Sequence, residues 1–156
     1  MKYILLFLMI FLFNACSIKS YKHTSSKIIT IKSPKIKFSD LGFIRNTGDA
    51  IELELFVAGN TVEKISINHL ICIRDGCMSK SGFNKEYLHS SYPDEIMQNI
   101  LLGKKIFKGE NTIKTDEGYE QIINTQNVNI VYKVSSELIY FKDKQNGILL
   151  KVKGVK

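Results

Sequence analysis

The sequence predicts a mainly β domain, a curved antiparallel sheet or half-open β-barrel interrupted by one short helix. Three observations predict it. Apolar residues recur at every second position through most of the chain, clusters of turn-forming residues separate those runs at about one strand length, and residues 93–102 switch to helical spacing. The 156-residue length suits one domain with a real core, and no internal repeat or low-complexity tract divides it.

The first element is not part of that domain. Residues 1–15 read as a signal peptide: Lys2 supplies a positive start, and residues 3–13 form an apolar run too short to span a bilayer, which takes roughly 20 residues. The run ends in Phe13-Asn14-Ala15-Cys16, which resembles the lipobox of bacterial lipoproteins. Cleavage before Cys16 would make it the first mature residue and the point of lipid attachment. Each buried methylene of the added chains contributes about 0.8 kcal/mol, so several chains hold a protein on the bilayer. Ser17 follows in place of the aspartate that favours retention at the inner membrane, and the expected location is therefore the outer membrane, on its periplasmic face. Residues 16–26, polar and without apolar period, read as the lipidated N-terminus and a flexible tether, leaving 27–156 as the folded domain.

Within the domain, Ile28-Ile29-Thr30-Ile31 and Ile36-Lys37-Phe38 read as strands. Next, Ile51, Leu53, Leu55 and Val57 alternate with Glu52, Glu54 and Phe56, giving one oily and one charged face. Asn46-Thr47-Gly48-Asp49 and Ala58-Gly59-Asn60 are turn chemistry, so these strands should form hairpins, continued by 62–67 and 70–73. Ser91-Tyr92-Pro93-Asp94-Glu95 then predicts a helix start, with Pro93 in the first turn and two carboxylates at the positive end of the dipole. Ile96 and Ile100, like Met97 and Leu101, are i, i+4 pairs, and Gly103 is placed to end the helix. Strands return at 119–124, 128–134, 138–142 and 148–152.

The three cysteines divide naturally. With Cys16 used for lipid, Cys72 and Cys77 remain as an even pair in an oxidising compartment, flanking an Asp-Gly step that favours a tight turn. A disulfide across a short hairpin is the economical reading. Free thiols, or a zinc site completed by His69 and His89, are the alternatives, although this spacing matches no common ligand pattern.

The formal net charge of +7 falls to +6 when Lys2 is removed with the signal peptide. Nucleic acid is excluded by compartment, which leaves two readings of this charge: contact with anionic lipid headgroups, or lysines spent on solvated faces. An enzyme finds little support. His23, His69 and His89 sit in no catalytic motif, no Gly-rich phosphate loop occurs, and helix capping accounts for Asp94 and Glu95. No cofactor or metal is called for.

The order of a strand meander, a short helix ending in IMQNILLGKKI at 96–106, and a final meander ending in LIYFKDKQNGILLKVK at 138–153 resembles the LolB-like outer-membrane lipoproteins. The resemblance implies a half-open barrel whose concave face, partly covered by helix, holds apolar ligands or the acyl chains of lipoproteins. That role in lipoprotein localisation would make acyl chains, and a periplasmic carrier that brings them, the partners. A lined apolar cavity lowers the cost of taking an acyl chain through water, and no covalent step is needed. On this reading Leu53, Leu55, Val57, Ile65, Ile67, Ile130, Tyr132 and Val134 are the candidate ligand-binding residues. The same residues could instead pack against the helix as a filled core, in a structural or interaction lipoprotein such as an envelope-assembly subunit or an adhesin. The chain departs from the family in lacking tryptophan, in having no leucine in its first loops, where the family carries an exposed one that aids insertion, and in its cysteine pair.

Cys16→Ala is expected to leave an unacylated precursor that does not fractionate with the outer membrane. Palmitate labelling of the variant equal to that of the native protein would remove the lipoprotein assignment.

Overall fold

The computed structural model describes residues 23–47 and 50–155. The expected signal peptide, Cys16, the first part of the tether, and Gly48-Asp49 of one expected turn lie outside the described residues. The strands are β1 (His23–Lys32), β2 (Lys37–Asn46), β3 (Ile51–Val57), β4 (Asn60–Ile67), β5 (Ile71–Ile73) and β6 (Gly76–Met78), then β7 (Thr112–Thr115), β8 (Gly118–Asn124), β9 (Asn129–Ser135), β10 (Leu138–Asp143) and β11 (Ile148–Gly154). Between β6 and β7 lie helices α1 (Lys80–Tyr87) and α2 (Ile96–Leu101) and a 3-10 turn at Phe107–Gly109.

All strand pairs are antiparallel, in the order β6-β5-β4-β3-β2-β1-β11-β10-β9-β8-β7. The two meanders are thus joined by their first and last strands, with Ile29 opposite Val152 and Ile31 opposite Leu150. The outermost strands, β6 and β7, do not pair, so the sheet curves without closing: a half-open barrel with a helical insertion.

Register puts the apolar residues on one face. Ile44, Leu53 and Ile65 stand in one cross-strand row, and Val152, Ile139 and Val134 in another. Phe141 lies between Tyr132 and Leu150. This inner face is the core, and the helices lie over it, contributing buried Phe83, Ile96, Met97, Ile100 and Leu101.

Several boundaries differ from expectation. Residues 23–26, expected in the tether, belong to β1, where Thr24, Ser25 and Ser26 pair with Arg45, Ile44 and Phe43. Their polar side chains carry no alternation, and it is the ladder from the apolar part of the hairpin that extends to them. The helix expected over 93–102 is shorter, because Pro93 closes a turn with Ile96 (N to O 3.0 Å) before α2 begins. Asp94 and Glu95 do not cap it. The Glu95 side chain makes no cap hydrogen bond and instead pairs with Lys80, at 2.7 Å. The end of α2 is as expected, with Gly103 at φ +61° donating its N–H to the Ile100 carbonyl at 3.1 Å.

Helix α1 was not expected. It has a serine N-cap, Ser79, whose hydroxyl accepts from the Gly82 N–H at 3.0 Å, but Phe83 is its one buried apolar residue, too few to show a period. The cysteine hairpin is formed: Cys72 and Cys77 stand opposite each other on β5 and β6, with their sulfurs 2.04 Å apart. So short a loop contributes about 2 kcal/mol in the chain-entropy model.

Close approach of β8 to β9 depends on Gly118, where an added Cβ would lie 2.0 Å from the Val134 carbonyl oxygen. Gly118→Ala is expected to destabilise the domain by about 1–3 kcal/mol, read as a lower denaturation midpoint. An unchanged midpoint would mean that the two strands separate at this end.

Candidate functional site

The candidate site is the inner face of the sheet and its helical cover. Leu53, Ile65, Ile130 and Tyr132 are 0% exposed, and Leu55 and Ile67 are 1% exposed. Residues so completely enclosed line no space that a water molecule could occupy, so in this conformation the concave face is filled by side chains of the cover. Val134 is half-buried at the rim. Val57, expected to face inward, is 46% exposed. The register between β3 and β4 shifts after Leu55, where β4 carries an extra residue, and Val57 then falls at the strand end opposite Asn60.

Among the described residues, buried polar side chains tie the cover to one side of the sheet. The Tyr92 hydroxyl donates to Asp143 Oδ2 of β10 at 2.8 Å, and the Tyr132 hydroxyl of β9 donates to the Lys104 carbonyl at 2.9 Å. On β8, the Tyr119 hydroxyl donates to the Gly103 carbonyl at 2.8 Å. Gln121, also on β8 and fully buried, accepts from the Ile106 N–H at 2.9 Å and donates to the carbonyls of Ile106 and Glu110 at 3.1 and 2.7 Å. Toward the other half, the side-chain polar contact between cover and sheet among the described residues is Lys35 with Glu86, an exposed pair at the β1–β2 turn. Beneath it, Ile51, Leu53, Leu55, Ile65, Ile67 and Ile71 belong to one buried apolar cluster with Phe83, Ile96, Met97, Ile100 and Leu101 of the cover. The cover is therefore latched along β8–β10 and seated by hydrophobic contact over β3–β5.

Asp143 is the centre of the latch. Burial on its own would raise its pKa. Hydrogen bonds from Asn146 and Tyr92, and from the backbone N–H groups of Asn129 and Asn146, outweigh this and lower it. The pKa of Tyr92 is raised, first by burial and then by its bond to the Asp143 carboxylate, so it remains a donor at all ordinary pH. Sequence reasoning missed Tyr92, Gln121 and Asp143 as a set. The available clue was a polar residue at an inward position of an apolar alternation: Gln121 between Tyr119 and Ile123, and Asp143 after Ile139 and Phe141.

Two half-open clefts lie elsewhere on the surface. One, of about 670 Å³, is bounded by Asp116, Glu117, Glu137, Lys151 and Lys153, and another, of about 480 Å³, by Lys35, Ile73, Met78 and Tyr87 among others. Neither includes a candidate ligand-binding residue of the inner face. Among the described residues no three His, Cys, Asp or Glu side chains form a metal-ligating set, and no helix is long and apolar enough to cross a membrane. Comparison with family models, with curated proteins and with solved structures gives no match.

The lowered pKa of Asp143 makes the latch acid-sensitive. A carboxyl whose folded pKa lies below its unfolded value of about 3.9 adds stability that is fully present above that value and is lost as pH falls through the folded pKa. Stability is therefore expected to fall below about pH 4, and Asp143→Asn to flatten that part of the curve. Asp143→Ala should cost about 2–3 kcal/mol at neutral pH by leaving buried donors unpaired. Identical acid limbs for the native and Asn proteins, measured by denaturant midpoint against pH, would remove Asp143 from this role.

Proposed function

We propose that the chain is an outer-membrane lipoprotein, anchored through Cys16, that takes up apolar ligands or lipoprotein acyl chains between its helical cover and the concave sheet, in a LolB-like role in lipoprotein localisation. The observation that carries this reading is the one-sided attachment of the cover. Among the described residues no side-chain hydrogen bond joins α1 to β3–β5, so lifting that end would uncover a continuous aliphatic surface, while Asn84 of α1, donating to the Tyr92 and Pro93 carbonyls at 3.4 and 3.0 Å, marks where the cover stays joined to the segment latched on β8–β10. The described conformation is then the closed form, and an entering acyl chain replaces the apolar contacts of α1 with its own. Uptake is physical transfer from water to an apolar surface, and the protein is a carrier or acceptor rather than an enzyme.

The half-open architecture supports the reading, since it is the fold that the LolB-like resemblance implies. So does Leu70, 44% exposed in the loop between β4 and β5: the family resemblance gives an exposed loop leucine a part in insertion, and the first loops have none. The expected cargo donor is a periplasmic carrier of acylated proteins.

Complete burial of the inner face favours a second reading, a structural or interaction lipoprotein with a permanently filled core. Titration of the mature protein with a fluorescent fatty acid separates the two. The carrier is expected to give saturable binding, weakened about ten-fold by Leu55→Phe, equivalent to about 1.4 kcal/mol, because the added ring occupies the surface offered to the chain. Absence of saturable binding by the native protein, with Leu55→Phe acting on stability alone, would leave the filled-core reading.

A further inference from the structure

The face of the sheet turned away from the core carries a pattern that the acyl-binding reading does not use. Because side chains alternate, the neighbours of buried Tyr132, Phe141, Leu150 and Ile31 point outward. Cross-strand register aligns them in two rows. One runs Ile122, Val131, Lys142, Leu149, Lys32, Lys37 across β8, β9, β10, β11, β1 and β2, and the next runs Glu120, Lys133, Tyr140, Lys151, Thr30, Ser39.

Five lysines and one carboxylate therefore share this surface. Glu120 pairs with Lys133 at 3.2 Å, and among the described residues Lys32, Lys37, Lys142 and Lys151 form no ion pair. Asp116, Glu117 and Glu137 balance Lys151 at one end of the strands, where they share a cleft with it and Lys153. Among the described residues no carboxylate forms an ion pair with Lys32, Lys37 or Lys142 at the other end. Between the lysines stand apolar groups of intermediate depth, Val131, Leu149 and Tyr140, with Ile122 46% exposed beside them. Ammonium groups flanking shallow apolar residues suit an anionic bilayer surface, where phosphates meet the lysines and the apolar side chains reach the headgroup boundary.

We infer that this outer face, centred on Lys32, Lys142 and Leu149, is a second membrane contact that lays the domain on an anionic leaflet. The position of the tether agrees. Cys16 is seven residues before His23, so a lipid there holds the start of β1 within about 25 Å of the bilayer, and β1, between β11 and β2, runs from that end along the face to Lys32 about 30 Å away, so a domain lying flat brings both ends to the surface. The tether part of this reasoning rests on lipidation of Cys16, whereas the charge pattern does not.

The test places an environment-sensitive fluorophore on Leu149→Cys, and separately on Lys85→Cys of α1 as a control, in the mature protein with its Cys72–Cys77 bridge intact. The protein is bound to vesicles of phosphatidylcholine alone or with added phosphatidylglycerol. The expected result is a blue shift and quenching by lipid-borne quencher at position 149, only with phosphatidylglycerol, reversed by salt, with position 85 silent. Lys32→Gln with Lys142→Gln should lower the docked-to-undocked ratio about five-fold per lysine, and both residues are exposed, so the thermal midpoint should not move. Equal signals in the two vesicle types would overturn the proposal, as would a response that follows protein density and so reports a second copy on this face. Failure of the protein to float with neutral vesicles would count against the Cys16 anchor, and position 149 read on anionic vesicles would still decide the face.

Discussion

Among the described residues a sheet of eleven strands with one aliphatic face has no second sheet to pack against, and what covers that face comes from the 33 residues between β6 and β7. Neither helix could be stable alone, since each has fewer than the roughly 12 residues at which isolated helices become even marginal. They persist because they bury Phe83, Ile96, Met97, Ile100 and Leu101 on the sheet, and the sheet stays folded because they do so. Cover and sheet are one cooperative unit, and the pairing of β1 with β11 makes it so: without that ladder the two meanders would be separate hairpin stacks, each too narrow to enclose the cover.

Apolar contact is non-directional and does not fix where a cover sits. The latch supplies the missing direction. Asp143 receives the Tyr92 hydroxyl while also ordering the β10–β11 turn through the N–H groups of Gln145 and Asn146, and Gln121 satisfies both the N–H and the carbonyl of Ile106. Each bond contributes only about 1 kcal/mol net, but each partner left unmade in the core would cost more, so alternative seatings of the segment 88–110 are excluded. Among the described residues no side-chain hydrogen bond joins the cover to β3–β5, whose inner face is aliphatic. One end is fixed by buried hydrogen bonds and the other is held by apolar area and one exposed ion pair, Lys35 with Glu86, which is the asymmetry a hinged cover needs.

Much of this was legible in the sequence, and the failures have physical causes. Alternation identifies a strand when one face is apolar and the other polar, as in 51–55 and 128–134. It is blind at 23–26, where both faces are polar, and at the edge strand β7, Thr112–Thr115, with one apolar residue, Ile113. It misplaces Val57, the last residue of β3, which lies beyond the register shift opposite Asn60 and is exposed there. Helix α1 could not be seen from period, since a helix lying on a sheet with one buried aromatic has none, although Ser79 was a usable capping clue. The cysteine hairpin was legible because its information is local, an even pair flanking a turn. The latch was not, because Tyr92, Gln121 and Asp143 are brought together by tertiary structure, and the pair Asp94-Glu95, which reads locally as capping, serves no cap.

The two faces of the sheet place opposite demands on the domain if both readings hold. A domain lying on its outer face presents the helical cover to the aqueous side, where an acylated partner arrives, and keeps the concave surface away from the bilayer. Onward transfer of an acyl chain then requires the domain to tip on its tether. Contact through four or five lysines, screened within about 8 Å at physiological salt, is weak enough to be broken and remade while the lipid anchor persists. Uptake and release would thus be separated in space by the reversible contact of one face, and the permanent anchor would set how far the domain can turn.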